Sequence, residues 1–159
     1  MLGERAGGFL TEEIREHGTR TGFAIESLDG QREVLAKRGA LPGPRIGPYT
    51  VIVRNLEAVA VGALEGAVAR GKVVLIDEIG KMEMESEAVR HAILRVLDGP
   101  THVVATLGIA RHPFMDAVRA RRGVELIEIT RENRDGIPAR VMELLTRGGG
   151  KDEGIVAGL

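Results

Sequence analysis

The 159 residues read as one α/β domain built on a mostly parallel sheet with a β-hairpin attached. Three observations predict that class. Strand-like and helix-like patterns alternate along the chain, as in layered α/β folds. Val73-Val74-Leu75-Ile76 is apolar without alternation, as a strand covered on both faces must be. Residues 55–70 repeat apolar side chains at the i, i+3, i+4 spacing of a helix that packs on such a sheet.

The elements follow in order. Residues 7–14 read as a strand, small at first and then carrying Phe9, Leu10 and Ile14. Residues 23–28 and 31–36 flank Asp29-Gly30, a pair suited to a two-residue type I′ turn in which both residues need positive φ. Residues 39–48 hold three Gly and three Pro and form a loop. The helix at 55–70 places Leu56, Val59, Ala60, Ala63, Leu64, Ala67 and Val68 on one side. After the strand at 73–76, residues 86–97 form a helix capped by Ser86, with Val89, Ile93, Val96 and Leu97 facing inward. A strand at 102–107 precedes a short helix at 113–121 that opens on Pro113. A strand at 124–129 and a helix at 137–146 complete a domain spanning 1–147. Gly148-Gly149-Gly150 then opens a polar tail, 148–159, expected to be disordered.

Composition removes several classes of function. There is no Cys, hence no disulfide scaffold, thiolate metal site or Cys nucleophile. Twenty-two Lys and Arg against 23 Asp and Glu leave a net charge of −1, without the basic excess of a nucleic-acid binder. No apolar run approaches the roughly 20 residues of a membrane span. The first residues carry no signal-peptide pattern, so a soluble, cytoplasmic protein is expected. The four His lack H-E-x-x-H spacing and no Ser lies in G-x-S-x-G. Three Phe and one Tyr are too few for a base-stacking platform.

One pattern points to chemistry. Val73-Val74-Leu75-Ile76 runs directly into Asp77-Glu78. Ligands of open α/β sheets bind outside the carboxyl ends of the strands, so this pair stands where a ligand would sit. It matches the Walker B element, in which an Asp helps hold Mg²⁺ on the β- and γ-phosphates and a following Glu orients the attacking water. One Asp suffices for Mg²⁺, which keeps several waters. Taken alone, the pattern fits equally an acidic strand end that caps a turn. The phosphate loop G-x-x-x-x-G-K-[ST] has no match. Gly66-Ala67-Val68-Ala69-Arg70-Gly71-Lys72-Val73 comes near, but Val73 replaces the hydroxyl and the stretch ends a helix instead of opening one.

Four segments together resemble a known family. They are Gly8-Phe9-Leu10-Thr11-Glu12-Glu13-Ile14-Arg15, Arg20-Thr21-Gly22-Phe23, Asp77-Glu78-Ile79-Gly80-Lys81-Met82-Glu83 and Thr130-Arg131-Glu132-Asn133-Arg134-Asp135. In this order they are similar to segments of the small nucleoside-triphosphatases, also called cancer-related nucleoside-triphosphatases. The resemblance implies a P-loop NTPase-like three-layer sandwich that hydrolyses nucleoside triphosphates, ATP and GTP among them, with Mg²⁺. It implies Asp77 on the metal, Glu78 as general base, and nucleotide contacts from Ile76, Asp77, Glu78, Ile79, Gly80, Asn133 and Arg134. Arg134 suits stacking on a purine or pairing with phosphate. Thr106, ending a neighbouring strand, suits a sensor of the γ-phosphate.

The family's opening strand, phosphate loop and helix have no counterpart before Gly8, and two readings of that difference stand. One is a shortened version of an ordinary enzyme. The other is an inactive relative that binds nucleotide or a partner, and on either the 159 residues alone are expected to hydrolyse little. Glu12 and Glu13 read either as carboxylates near the phosphates or as a solvated strand end. Arg15 and Arg20 read either as transition-state cations or as surface residues. Arg119, Arg121 and Arg122 close a short helix, where cations are favourable.

Overall fold

The computed structural model describes residues 2–39, 41–147 and 154–158. Nine strands are β1 (Ala6–Glu16), β2 (Thr19–Ser27), β3 (Arg32–Arg38), β4 (Arg45–Ile46), β5 (Tyr49–Val51), β6 (Val73–Ile79), β7 (Val103–Leu107), β8 (Val124–Glu128) and β9 (Gly154–Gly158). The helices are α1 (Val53–Ala69), α2 (Glu87–Asp98), α3 (Pro113–Arg119) and α4 (Ile137–Arg147). All strands join one sheet in the order β4-β5-β3-β2-β1-β6-β7-β9-β8. The half from β1 to β8 is parallel, and β2, β3, β5 and β4 continue it as an antiparallel wing. The α/β class is as expected, and the antiparallel wing is larger than one hairpin.

The core follows the apolar periodicity. Leu56, Val59, Ala60, Leu64 and Ala67 of α1 are fully buried and join Phe9, Val74, Ile76, Val89 and Ile93 in one cluster. Ser86 accepts the Val89 amide at 3.1 Å as the N-cap of α2, and Pro113 opens α3. Gly8 is required where β1 meets β6. Its φ is +120°, and a Cβ there would stand 2.0 Å from the Leu75 carbonyl oxygen. No helix of the described residues is long and apolar enough to cross a membrane.

Three expectations change. The loop expected at 39–48 holds the short strand β4, paired with β5. The two-residue type I′ turn joins β1 to β2 at His17 (φ 49°) and Gly18 (φ +79°), not β2 to β3. Between β2 and β3 only Gly30 has positive φ, so residues 28–31 form a longer loop. The tail at 148–159 was expected to be disordered. Gly154–Gly158 instead forms β9, inserted in parallel between β7 and β8. Three apolar residues, Ile155-Val156-Ala157, are too short a run to show a period, and their pairing depends on strands far back in the chain. The rest of the expected tail lies outside the described residues.

Candidate active site at the carboxyl end of β6

β1 and β6 run in parallel register, with Leu10 opposite Asp77. β1 continues past that point into the antiparallel wing, so Thr11 onward pairs with β2 and no longer with β6. On the other side β7 brings Thr106, whose hydroxyl donates to Asp77 Oδ1 at 2.6 Å. The Asp77–Glu78 peptide is cis. Asp77 is exposed, Glu78 half-buried, and Ile79 returns to the core.

Glu78 lies in a slot between two glycines. A Cβ on Gly108 would stand 2.6 Å from Glu78 Oε1, and one on Gly80 would stand 3.1 Å from the same oxygen. The Gly108 amide donates to the Ile79 carbonyl at 3.2 Å. Its carbonyl accepts from Arg119, which also bonds the Ala110 carbonyl and is held by Asp116 at 2.8 Å. Glu83 backs the other wall: it is 4% exposed and accepts the Gly80 amide at 3.0 Å. Burial, and after it the charge of Asp77, push the Glu78 carboxyl above its ordinary range. Burial pushes Glu83 further, to about 7, against the lowering effect of two backbone amides.

Two cavities flank Glu78. The larger, about 480 Å³, lies between Lys81 and the 108–110 loop and is floored by Met115. The smaller, about 190 Å³, opens under the antiparallel wing against Thr11, Phe23, Leu35 and Ile46. Lys81 lines both.

The structure thus brings Asp77, Glu78, Gly80 and Thr106 together. Ile76 and Ile79 are 1% and 0% exposed, so their side chains belong to the core and only their main chain faces the site. Asn133 is bound up in its own turn. Its Oδ1 accepts the Thr130 amide and its Nδ2 donates to the Glu128 carbonyl, both at 2.8 Å. Arg134 is exposed beside Asp135 in the turn that follows β8, the strand three positions from β6 in the sheet. On the wing, Arg15 and Arg20 both pair with Glu13 at 2.6 Å, and Arg20 lies over the Phe23 and Tyr49 rings. Arg32 bonds Glu12 and Glu26. These groups brace the wing. Gly108, Arg119 and Glu83 were missed from sequence. The one available signal was Glu83's place in the segment that begins at Asp77.

An acid pair at the end of a core parallel strand, with a hydroxyl beside it, stands at the ligand end of an α/β sheet. Comparison with known proteins agrees. A family model described as NTPase matches residues 1–142. The nucleoside-triphosphatase THEP1 of Thermotoga petrophila is 40% identical over 154 residues, covering 95% of this chain and 86% of that one. The cancer-related nucleoside-triphosphatase homolog of Bos taurus is 35% identical, covering 80% of this chain and 74% of that one. The crystal structure of THEP1 from Aquifex aeolicus superposes with a TM-score of 0.82 at 39% identity, covering 91% of this chain and 86% of that one. The chain belongs to this NTPase family and is an enzyme of the nucleoside-triphosphatase class.

Proposed function

We propose that the chain hydrolyses nucleoside 5′-triphosphates to diphosphates and phosphate with Mg²⁺, using Glu78 as general base and Asp77 at the metal. The observation that carries this reading is the Thr106–Asp77 hydrogen bond of 2.6 Å, beside a Glu78 carboxyl that opens on a cavity. The donors suit the ion. Asp77 and Thr106 offer hard oxygens, and no group of three or more His, Asp or Glu that could hold a metal occurs among the described residues. Mg²⁺ takes one or two carboxylates and fills its remaining positions with water and phosphate oxygens. When bound, it supplies neutralisation of the β- and γ-phosphate charge.

The residues divide the remaining work. Thr106 orients the Asp77 carboxylate through Oδ1, and Asp77 would hold the metal. Glu78, its proton affinity raised by burial, takes a proton from water as the water attacks the γ-phosphorus and the bond to the bridging oxygen breaks, releasing the diphosphate. Lys81, facing both cavities, offers a cation to the departing charge. Arg134, exposed beyond β8, would contact the nucleoside end of the nucleotide.

The reading runs against the expectation that these 159 residues hydrolyse little, and the test that decides is phosphate release from the purified chain with ATP or GTP, with and without Mg²⁺. Asp77→Ala is expected to abolish Mg²⁺-dependent release, and Glu78→Gln to lower kcat by about 10²–10⁴-fold while nucleotide still binds. A Glu78→Gln enzyme with the parental rate removes Glu78 as the base. Nucleotide binding without release by the parent chain would favour the inactive relative.

A further inference from the structure

Glu83 is the one charged side chain buried among the described residues, and no salt bridge there involves it. Burying a carboxyl without a cation is unfavourable, so its contacts matter. Glu83 Oε2 holds the Gly80 amide at 3.0 Å, and the Gly80 carbonyl accepts the Met84 amide at 3.3 Å. Residues 80–84 are thereby closed into a small ring. Gly80 sits between two carboxylates: a Cβ there would be 3.1 Å from Glu78 Oε1 and 3.1 Å from Glu83 Oε2. The opposite wall, Gly108, is tied to Ile79 and braced by Arg119. A shift of Gly80 would open the slot on the side that the Glu83 carboxyl and the Met84 amide secure.

We propose that Glu83 is a positioning residue: by clasping the Gly80 amide it fixes the wall that aims the Glu78 carboxylate at the reacting water. This rests on Glu78 being the base. Glu83 is buried behind Gly80, and its contribution is geometric. An acceptor oxygen at its position meets the requirement whether or not it is charged. A small displacement of a reacting group costs rate steeply, whereas binding of the nucleotide elsewhere is left alone.

The experiment compares the full-length parent with Glu83→Leu, Glu83→Gln and Glu78→Gln in steady-state phosphate release. Glu83→Leu is expected to lower kcat at least about tenfold with KM within about twofold, and Glu83→Gln to restore kcat to within about threefold of the parent. A second readout needs neither metal nor nucleotide. The Gly80 amide of ¹⁵N-labelled protein should exchange slowly in the parent and the Gln variant, and about tenfold faster in the Leu variant. Parental kcat in Glu83→Leu overturns the inference, as does a Gln variant as impaired as the Leu one. Should Leu at 83 prevent folding, Gly80→Ala wedges a methyl between the two carboxylates and is expected to show the same loss of kcat. A parental rate there overturns the inference equally. Glu78→Gln separates the two levels. If it keeps the parental kcat, the base reading fails whatever Glu83 does. If it is inactive while Glu83→Leu is not, only the positioning role fails.

Discussion

Replacing Gly108 with alanine tests the position of Glu78 from the side opposite Glu83. The new methyl carbon would stand 2.6 Å from Glu78 Oε1 and 3.2 Å from Met115 Cε. A relaxed carbon–oxygen contact is about 3.3 Å or longer, so the carboxylate must withdraw by about 0.7 Å from its 2.6 Å approach. Met115 ends in a flexible thioether and can yield more easily than the backbone. The φ of Gly108 lies outside the positive range, so alanine strains no dihedral there. A misplacement near 1 Å at a reacting group costs up to ~10²-fold, which predicts a fall in kcat of about 10- to 100-fold. The assay is Mg²⁺-dependent phosphate release over a range of nucleotide concentrations, with thermal unfolding followed in parallel. KM should stay close to the parent's and Tm should move by less than about 3 °C. A folded Gly108→Ala enzyme with parental kcat would show that the oxygen in this slot is not the one that works on water.

Two further outcomes follow from the same geometry. The Glu83 carboxyl titrates near 7 in the fold and at 4.5 ordinarily, so the folded state favours its proton. Its stabilising effect is full below about pH 4.5 and is lost as pH rises to 7, a decline of order 3 kcal/mol. Glu83→Gln should flatten that decline in urea unfolding at pH 5 and pH 8 without metal, and an unchanged difference between the two pH values refutes the buried proton. Gly8→Ala places a Cβ 2.0 Å from the Leu75 carbonyl oxygen at a φ of +120°, so the β1–β6 pair must part. Thermal unfolding should show a loss of many degrees, and a Tm within about 3 °C of the parent contradicts this close approach.

The order of strands and helices through residue 147, the cap at Ser86 and the place of Asp77 and Glu78 at a strand's carboxyl end were legible in the sequence. Each is a local property: a period of two or 3.6, a hydroxyl before a helix, or an apolar run that stops at an acid. Thr106 was within reach for the same reason, because it closes the next parallel strand and register places neighbouring strand ends side by side. What remained hidden depends on partners distant in the chain. Arg20 donates to the Tyr49 hydroxyl, 29 residues further on, a contact that no local pattern shows. Strand β9 has three apolar residues and no period, and becomes a strand only where β7 and β8 leave their edges to it. The sequence alone determined that two carboxylates reach the ligand end of a buried sheet. Tertiary structure decided that one of them lies between Gly80 and Gly108 with a buried acid behind it. Hydrophobic period is written along the chain, whereas the contacts that aim a side chain form only between segments that folding brings together.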